Sequence, residues 1–160
     1  MTGLILISMP IMQAIATPQS GKLSDLINPQ KLSALGMGLA TIAILILTTM
    51  EDTTSIYVII IALMIGGVGF GLFSSPNTNT MMSSVPPNET TMASAAVATM
   101  RVIGQTVSIG ILTVIFAFVM GNVTITPSVY PQLSESCHLA LICSTILGFI
   151  SILASLVGMN

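Results

Sequence analysis

The sequence predicts an all-α integral membrane protein, and three observations carry that reading. Of its 160 residues, 53% are hydrophobic and only 5% are charged. A soluble domain carries about a quarter charged residues, so these few charges could not cover a water-facing surface. The mean hydropathy of +1.01 points the same way. Finally, the apolar residues fall into five stretches near the length of ~20 residues that a bilayer crossing needs.

The first stretch covers residues 2–18, and Pro18 and Gly21 are expected to end it. It lies within "MTGLILISMPIMQAIATP", which has no basic leader segment and no clear cleavage site. The second covers 31–50 and stops at the polar "EDTTS". The third, 55–83, runs through Pro76, and the fourth covers 90–120. Both exceed one crossing, since thirty helical residues reach about 45 Å. Such helices tilt, kink or extend past the hydrocarbon. The fifth covers 137–158. Between the last two, 122–136 is the only long polar connection; it contains Glu135 and a sequon-like N-V-T. No soluble domain and no clear internal repeat is present.

Charge sets the expected orientation. Lys22 and Lys31 flank the first loop, which places it in the cytoplasm. Alternation then puts "EDTTS" (Glu51, Asp52) outside, "VPPNET" inside and 122–136 outside. The N-terminus lies outside a cell membrane and the C-terminus in the cytoplasm.

The same inventory excludes other classes. Three basic residues form no patch for nucleic acid. Cys137 and Cys143, six apart, match no metal or redox spacing and read as small buried hydrophobes. His138, at the end of the polar connection, reads as interfacial. No enzyme activity, metal site or cofactor is expected.

Three stretches are informative. "GGVGFG" (66–71) lacks the phosphate-loop pattern, but Gly67 and Gly71 form G-x-x-x-G, which lets helix backbones approach closely. Beyond it, "SSPNTNTMMSS" places Pro76 within a span, where it kinks the helix and frees a carbonyl. Ser75, Asn77 or water is expected to satisfy that carbonyl. Eight of the residues from Ser74 to Ser84 are Ser, Thr or Asn, so most should face other helices or a wet cavity.

The third stretch holds Arg101, the chain's one arginine. On a helix turning about 100° per residue, Ser94, Ala98, Gly104, Gln105 and Ser108 share its side, and Thr90 joins them a turn earlier. Val97 is the bulky exception. Arg101 lies about 16 Å along the helix from Thr90, a long reach for snorkelling. A charge at such depth costs about 2.5–3.5 kcal/mol on insertion scales. Every acid (Asp25, Glu51, Asp52, Glu89, Glu135) is expected in a loop, so Arg101 should face a cavity or an acceptor from elsewhere. The first loop, "ATPQSGKLSDLINPQK", reads as a tight hairpin. Ser24 or Asp25 is expected to brace the next element, and Pro29 precedes the second span.

Together these stretches resemble the C-terminal half of major facilitator superfamily transporters, and most closely the 14-helix drug:proton antiporter branch. "TPQSGKLSD" (17–25) is similar to that family's P-x-x-G-[KR]-L-S-D loop. "GGVGFGLFSSPNTNTMMSSVP" (66–86) is similar to its G-x-G-x-G-x-F-x-S-P-N helix. "ASAAVATMRVIGQTVSIGI" (93–111) is similar to its T-M-R-x-x-G-Q helix. Leu26 stands where an arginine is common, and "VPPNET" lacks the expected basic residues.

The resemblance implies a partial C-terminal half with a further span before Met1 and a whole N-terminal half elsewhere. The intact protein would use a proton gradient to export amphipathic drug-like molecules by alternating access. Arg101, Gln105, Asn77, Ser94 and Ser108 would line the cavity. Gly67, Gly71, Pro76 and Gly104 would serve packing and bending, and Pro18, Gly21, Lys22 and Asp25 the cytoplasmic loop. Arginine does not titrate, so the coupling carboxylate would lie in the missing part. Two alternatives stand beside this reading. The chain is a separate subunit completed by a partner that carries the N-terminal helices, or it is a non-transporting membrane remnant.

Overall fold

A computed structural model describes residues 2–24, 26–50, 54–120 and 130–157. Among these the chain is helical, without strands: α1 (Thr2–Leu6), α2 (Ser8–Ser24), α3 (Pro29–Thr48), α4 (Ile56–Ser83), α5 (Thr90–Met120) and α6 (Tyr130–Val157). A short 3-10 turn at Pro87–Glu89 leads into α5. Asp25, Glu51, Asp52 and the N-V-T at 122–124 lie outside the described residues.

The first expected span is longer than predicted. α1 and α2 are one helical path, because Ile7 N–H reaches Gly3 O and Ile11 N–H reaches Ile7 O. Pro10 has no N–H to give Leu6 O, which accounts for the interruption at Ile7. Nor do Pro18 and Gly21 end the helix; α2 runs through both to Ser24. The expected loop motif is therefore mostly helix, with Pro18, Gly21 and Lys22 inside it. The reason is tertiary. Ala16, Ser20 and Ser24, four residues apart, are buried, while Pro18 is exposed. A proline on the open face forfeits one backbone bond, and the packed face keeps the helix going. Among the described residues α3, α4, α5 and α6 are the four helices long and apolar enough to cross a membrane, where about five were expected; α2, with 17 residues, is not one of them.

Asn28 caps α3, while Ser24 turns its hydroxyl to Gly21 O at 2.7 Å within α2. The Asn28 Oδ1 accepts from Gln30 N–H at 3.0 Å, with Pro29 in the first turn. α6 starts at Tyr130 rather than 137. Glu135 and His138 consequently sit in helix, not in a loop. Pro131 falls in the first turn, where its missing N–H costs nothing.

α4 lies at the centre, with α2 and α3 packed closely against it; α6 packs on α3. Small residues allow these approaches. A Cβ on Gly36 of α3 would lie 2.6 Å from Phe73 N and 2.7 Å from Gly69 O; one on Gly69 would lie 2.6 Å from Ala40 N. On the α2 side, a Cβ on Gly67 would run into the Met9 carbonyl, and one on Gly71 would lie 2.6 Å from Ala16 Cβ. α6 meets α3 where Gly148 covers Thr41 and where the Thr48 and Thr145 hydroxyls lie 3.4 Å apart. In a bilayer, where apolar burial does not drive helix association, such backbone proximity supplies the van der Waals contact that does. By contrast, α5 leans on α6 and touches α4 lightly, and none of its described residues is buried.

Candidate functional site

The site begins with the change of character along α4. Its first half is apolar and glycine-rich. From Ser74 onward it carries Ser74, Asn77, Thr78 and Met81, spaced three, four and seven residues from the first and so sharing one face. Val97, Met100 and Arg101 of α5 come opposite. With Phe73, these side chains line a groove of about 260 Å³ between the two helices. Asn77 and Arg101, 24 residues apart in sequence, thus share one wall-to-wall space. Thr78 turns its hydroxyl to Ser74 O at 2.8 Å, and Thr80 to Pro76 O at 2.9 Å. Those hydroxyls satisfy their own helix. Neither Asn77 nor Arg101 has a side-chain hydrogen bond or ion pair among the described residues. The groove therefore offers an open amide and an open guanidinium: five donors in a planar fork and a donor–acceptor pair.

The rest of the expected polar stripe does not converge here. Ser94 lies a turn before the groove, donating to Thr90 O at 2.8 Å and approaching Met82 Sδ at 3.5 Å. Ser108 and Gly104 border a different, mainly apolar crevice of about 240 Å³ between α5 and α6. Gln105 is exposed and borders neither. Nothing lies within 4 Å of where a Cβ on Gly104 would stand, so no helix among the described residues approaches closely there. The physical reason is that α5 changes neighbours along its length. Its stripe is continuous on the helix surface, but α4 faces the part near Arg101 and α6 faces the part near Ser108.

Beneath the groove, Pro76 is fully buried. It lacks the N–H that would bond Leu72 O, and the expected partners Ser75 and Asn77 do not supply one. Ser20 of α2 does: its Oγ donates to Leu72 O at 3.2 Å. Ser20 is itself completely buried. Gly21 beside it brings the backbone close, since a Cβ there would lie 3.3 Å from Ser75 Oγ. The "PQSG" segment thus reaches across to the break in α4. Sequence reasoning missed Ser20, and also Phe73 and Met81, the apolar neighbours four residues either side of Asn77. The helical spacing would have found the latter two; nothing local marks Ser20.

This geometry makes a prediction. Ser20→Ala leaves Leu72 O without a donor in the interior, at a cost of about 1–3 kcal/mol. Pro76→Ala restores an N–H to that carbonyl. The double variant should therefore be less destabilised than the sum of the two single ones, read as thermal midpoints in detergent; simple additivity would refute the link.

The chain matches the family model described as Major Facilitator Superfamily over residues 1–109. It is 28% identical over 101 residues to the riboflavin transporter RibZ of Clostridioides difficile (strain 630), covering 63% of this chain and 22% of that protein. Over 104 residues it is 32% identical to the uncharacterized transporter YebQ of Escherichia coli (strain K12), covering 65% of this chain and 23% of that one. The matched region thus spans less than a quarter of the length of these relatives. No solved structure matches. With the family model covering residues 1–109, this multi-pass membrane chain belongs to the major facilitator superfamily.

Proposed function

We propose that this chain forms the C-terminal wall of a proton-coupled multidrug efflux antiporter in the cell membrane, working by alternating access. One observation carries the reading: an unpaired guanidinium, Arg101, faces Asn77 across an open groove bordered by Phe73, Met81 and Met100. Aromatic and thioether side chains adapt to varied apolar bodies, and the amide and guanidinium orient polar groups. In this superfamily the substrate site lies between two halves near the bilayer midplane. Asn77 and Arg101 would face that site, with Gln105, Ser94 and Ser108 flanking it. The proton-titrating carboxylate would come from the N-terminal helices, in the same polypeptide or as a partner chain. Pro18, Gly21, Lys22 and Asp25 would lie at the cytoplasmic face, with the C-terminus on the same side and the N-terminus outside.

The test is export in cells. Expressing the gene with its N-terminal half should lower accumulation of a cationic dye such as ethidium, and a protonophore should abolish the difference. Unchanged accumulation at verified membrane levels would overturn the proposal. A second reading, transport of a flavin, has the likeness to a riboflavin transporter in its favour. Uptake of labelled riboflavin without any effect on dyes would select it.

A further inference from the structure

The outer side of α3 carries a feature that the transport reading does not use. Leu32, Ser33, Gly36 and Ala43 are buried on its inner side. On the other side, Ala34, Leu35, Gly38 and Ile42, with Ile152 of α6, line a furrow of about 510 Å³ that has Lys31 at one end. Ala34 and Gly38, four residues apart, make the floor, and nothing lies within 4 Å of where a Cβ on Gly38 would stand. Leu35 and Ile42, seven residues apart and so on one flank of the helix, stand beside that floor, 66% and 49% exposed.

Three properties select an occupant. First is length. Lys31 to Ile42 covers about 16 Å of helix, half of the ~30 Å hydrocarbon core, so the furrow spans one leaflet. Second is polarity: between Ala34 and Ile42 its lining residues are apolar. Third is charge. Lys31 sits in the first turn of α3, where the helix dipole adds positive potential, and Lys22 lies in the last turn of α2 just before the connecting turn. No described acid pairs with Lys31; Glu89 precedes α5, and Glu135 lies at the opposite end of α6 from Ile152. A cationic end on an apolar, one-leaflet furrow is complementary to an anionic headgroup carrying an acyl chain.

We propose that this furrow is a binding site for an anionic phospholipid, with one acyl chain along Ala34, Gly38 and Ile42 and the phosphate at Lys31. The site is independent of whatever the Arg101 groove transports. Native mass spectrometry of the purified full chain tests it, using phosphatidylglycerol and phosphatidylcholine with identical acyl chains. Phosphatidylglycerol should be retained at about fivefold lower concentration, the contribution of one lysine near a charged lipid. Lys31→Ala should remove that preference while leaving phosphatidylcholine adducts unchanged, because the side chain is exposed. Gly38→Leu, which fills the floor, should lose both adducts. Inorganic phosphate should not displace the lipid. Equal retention of the two lipids, a preference that survives Lys31→Ala, or displacement by free phosphate would overturn the proposal.

Discussion

Arg101→Ala in the assembled transporter is expected to lower export about tenfold or more while making α5 a better membrane segment. The two effects have opposite signs because they report different states. During insertion the guanidinium sits about 16 Å into the helix from Thr90, where it opposes partitioning. Removing it should shift the insertion equilibrium of an isolated α5 segment by roughly a hundredfold toward the membrane. In the assembled protein the same group lies across from Asn77 in the groove. Losing a charged hydrogen-bonding partner for substrate or carboxylate should lower export about tenfold or more. Arg101→Lys keeps the charge and loses the planar fork, so it should retain part of the activity. Dye efflux normalised to membrane protein level checks the first effect, and glycosylation mapping of α5 in a reporter checks the second. Full export by Arg101→Ala at normal levels would remove the groove from the transport pathway.

The second large effect belongs to the α3–α4 crossing. Gly36→Leu should prevent these helices from docking. A Cβ alone would stand 2.6 Å from Phe73 N and 2.9 Å from Leu72 C, and backbone atoms cannot swing aside as a side chain can. Overpacking of a well-packed site costs about 1–3 kcal/mol even when relief is available, and here the relief is separation of the helices. Because Leu72 and Phe73 precede Pro76 by one turn, the damage should reach the Ser20–Leu72 bond. The expected result is loss of folded material, read as protease sensitivity of the α3–α4 connection and a lowered thermal midpoint in detergent. Gly104→Ala is the matched control: it should be silent in the same assays, because open space surrounds that position. Equal effects at the two positions would refute the crossing.

How far the site was legible follows the reach of each signal. Arg101 and Asn77 stood out because charge and amide groups conflict with a hydrocarbon setting, and that conflict is visible residue by residue. Their meeting in one groove was not visible, because it depends on which helix lies opposite. Ser94, Gln105 and Ser108 illustrate the limit. They share a stripe with Arg101 by helical arithmetic, yet Ser108 borders the α6 crevice and Gln105 borders neither space. Gly67, Gly71 and Gly104 look alike in sequence, but the first two lie against α2 and the third faces open space.

Composition and apolar run length by themselves determined an all-helical membrane chain, since a bilayer leaves an unpaired backbone no other solution than helix or closed barrel. The approximate bounds of α3, α4 and α5 came with it, and the three quoted motifs pointed to the family. Only the tertiary structure decided that α2 continues through Pro18 and Gly21, and that Ser20 reaches Leu72 O beside Pro76. The reason is physical. Local rules price a proline or a glycine in an isolated helix, whereas here the small face of Ala16, Ser20 and Ser24 packs inward and leaves Pro18 on the open side.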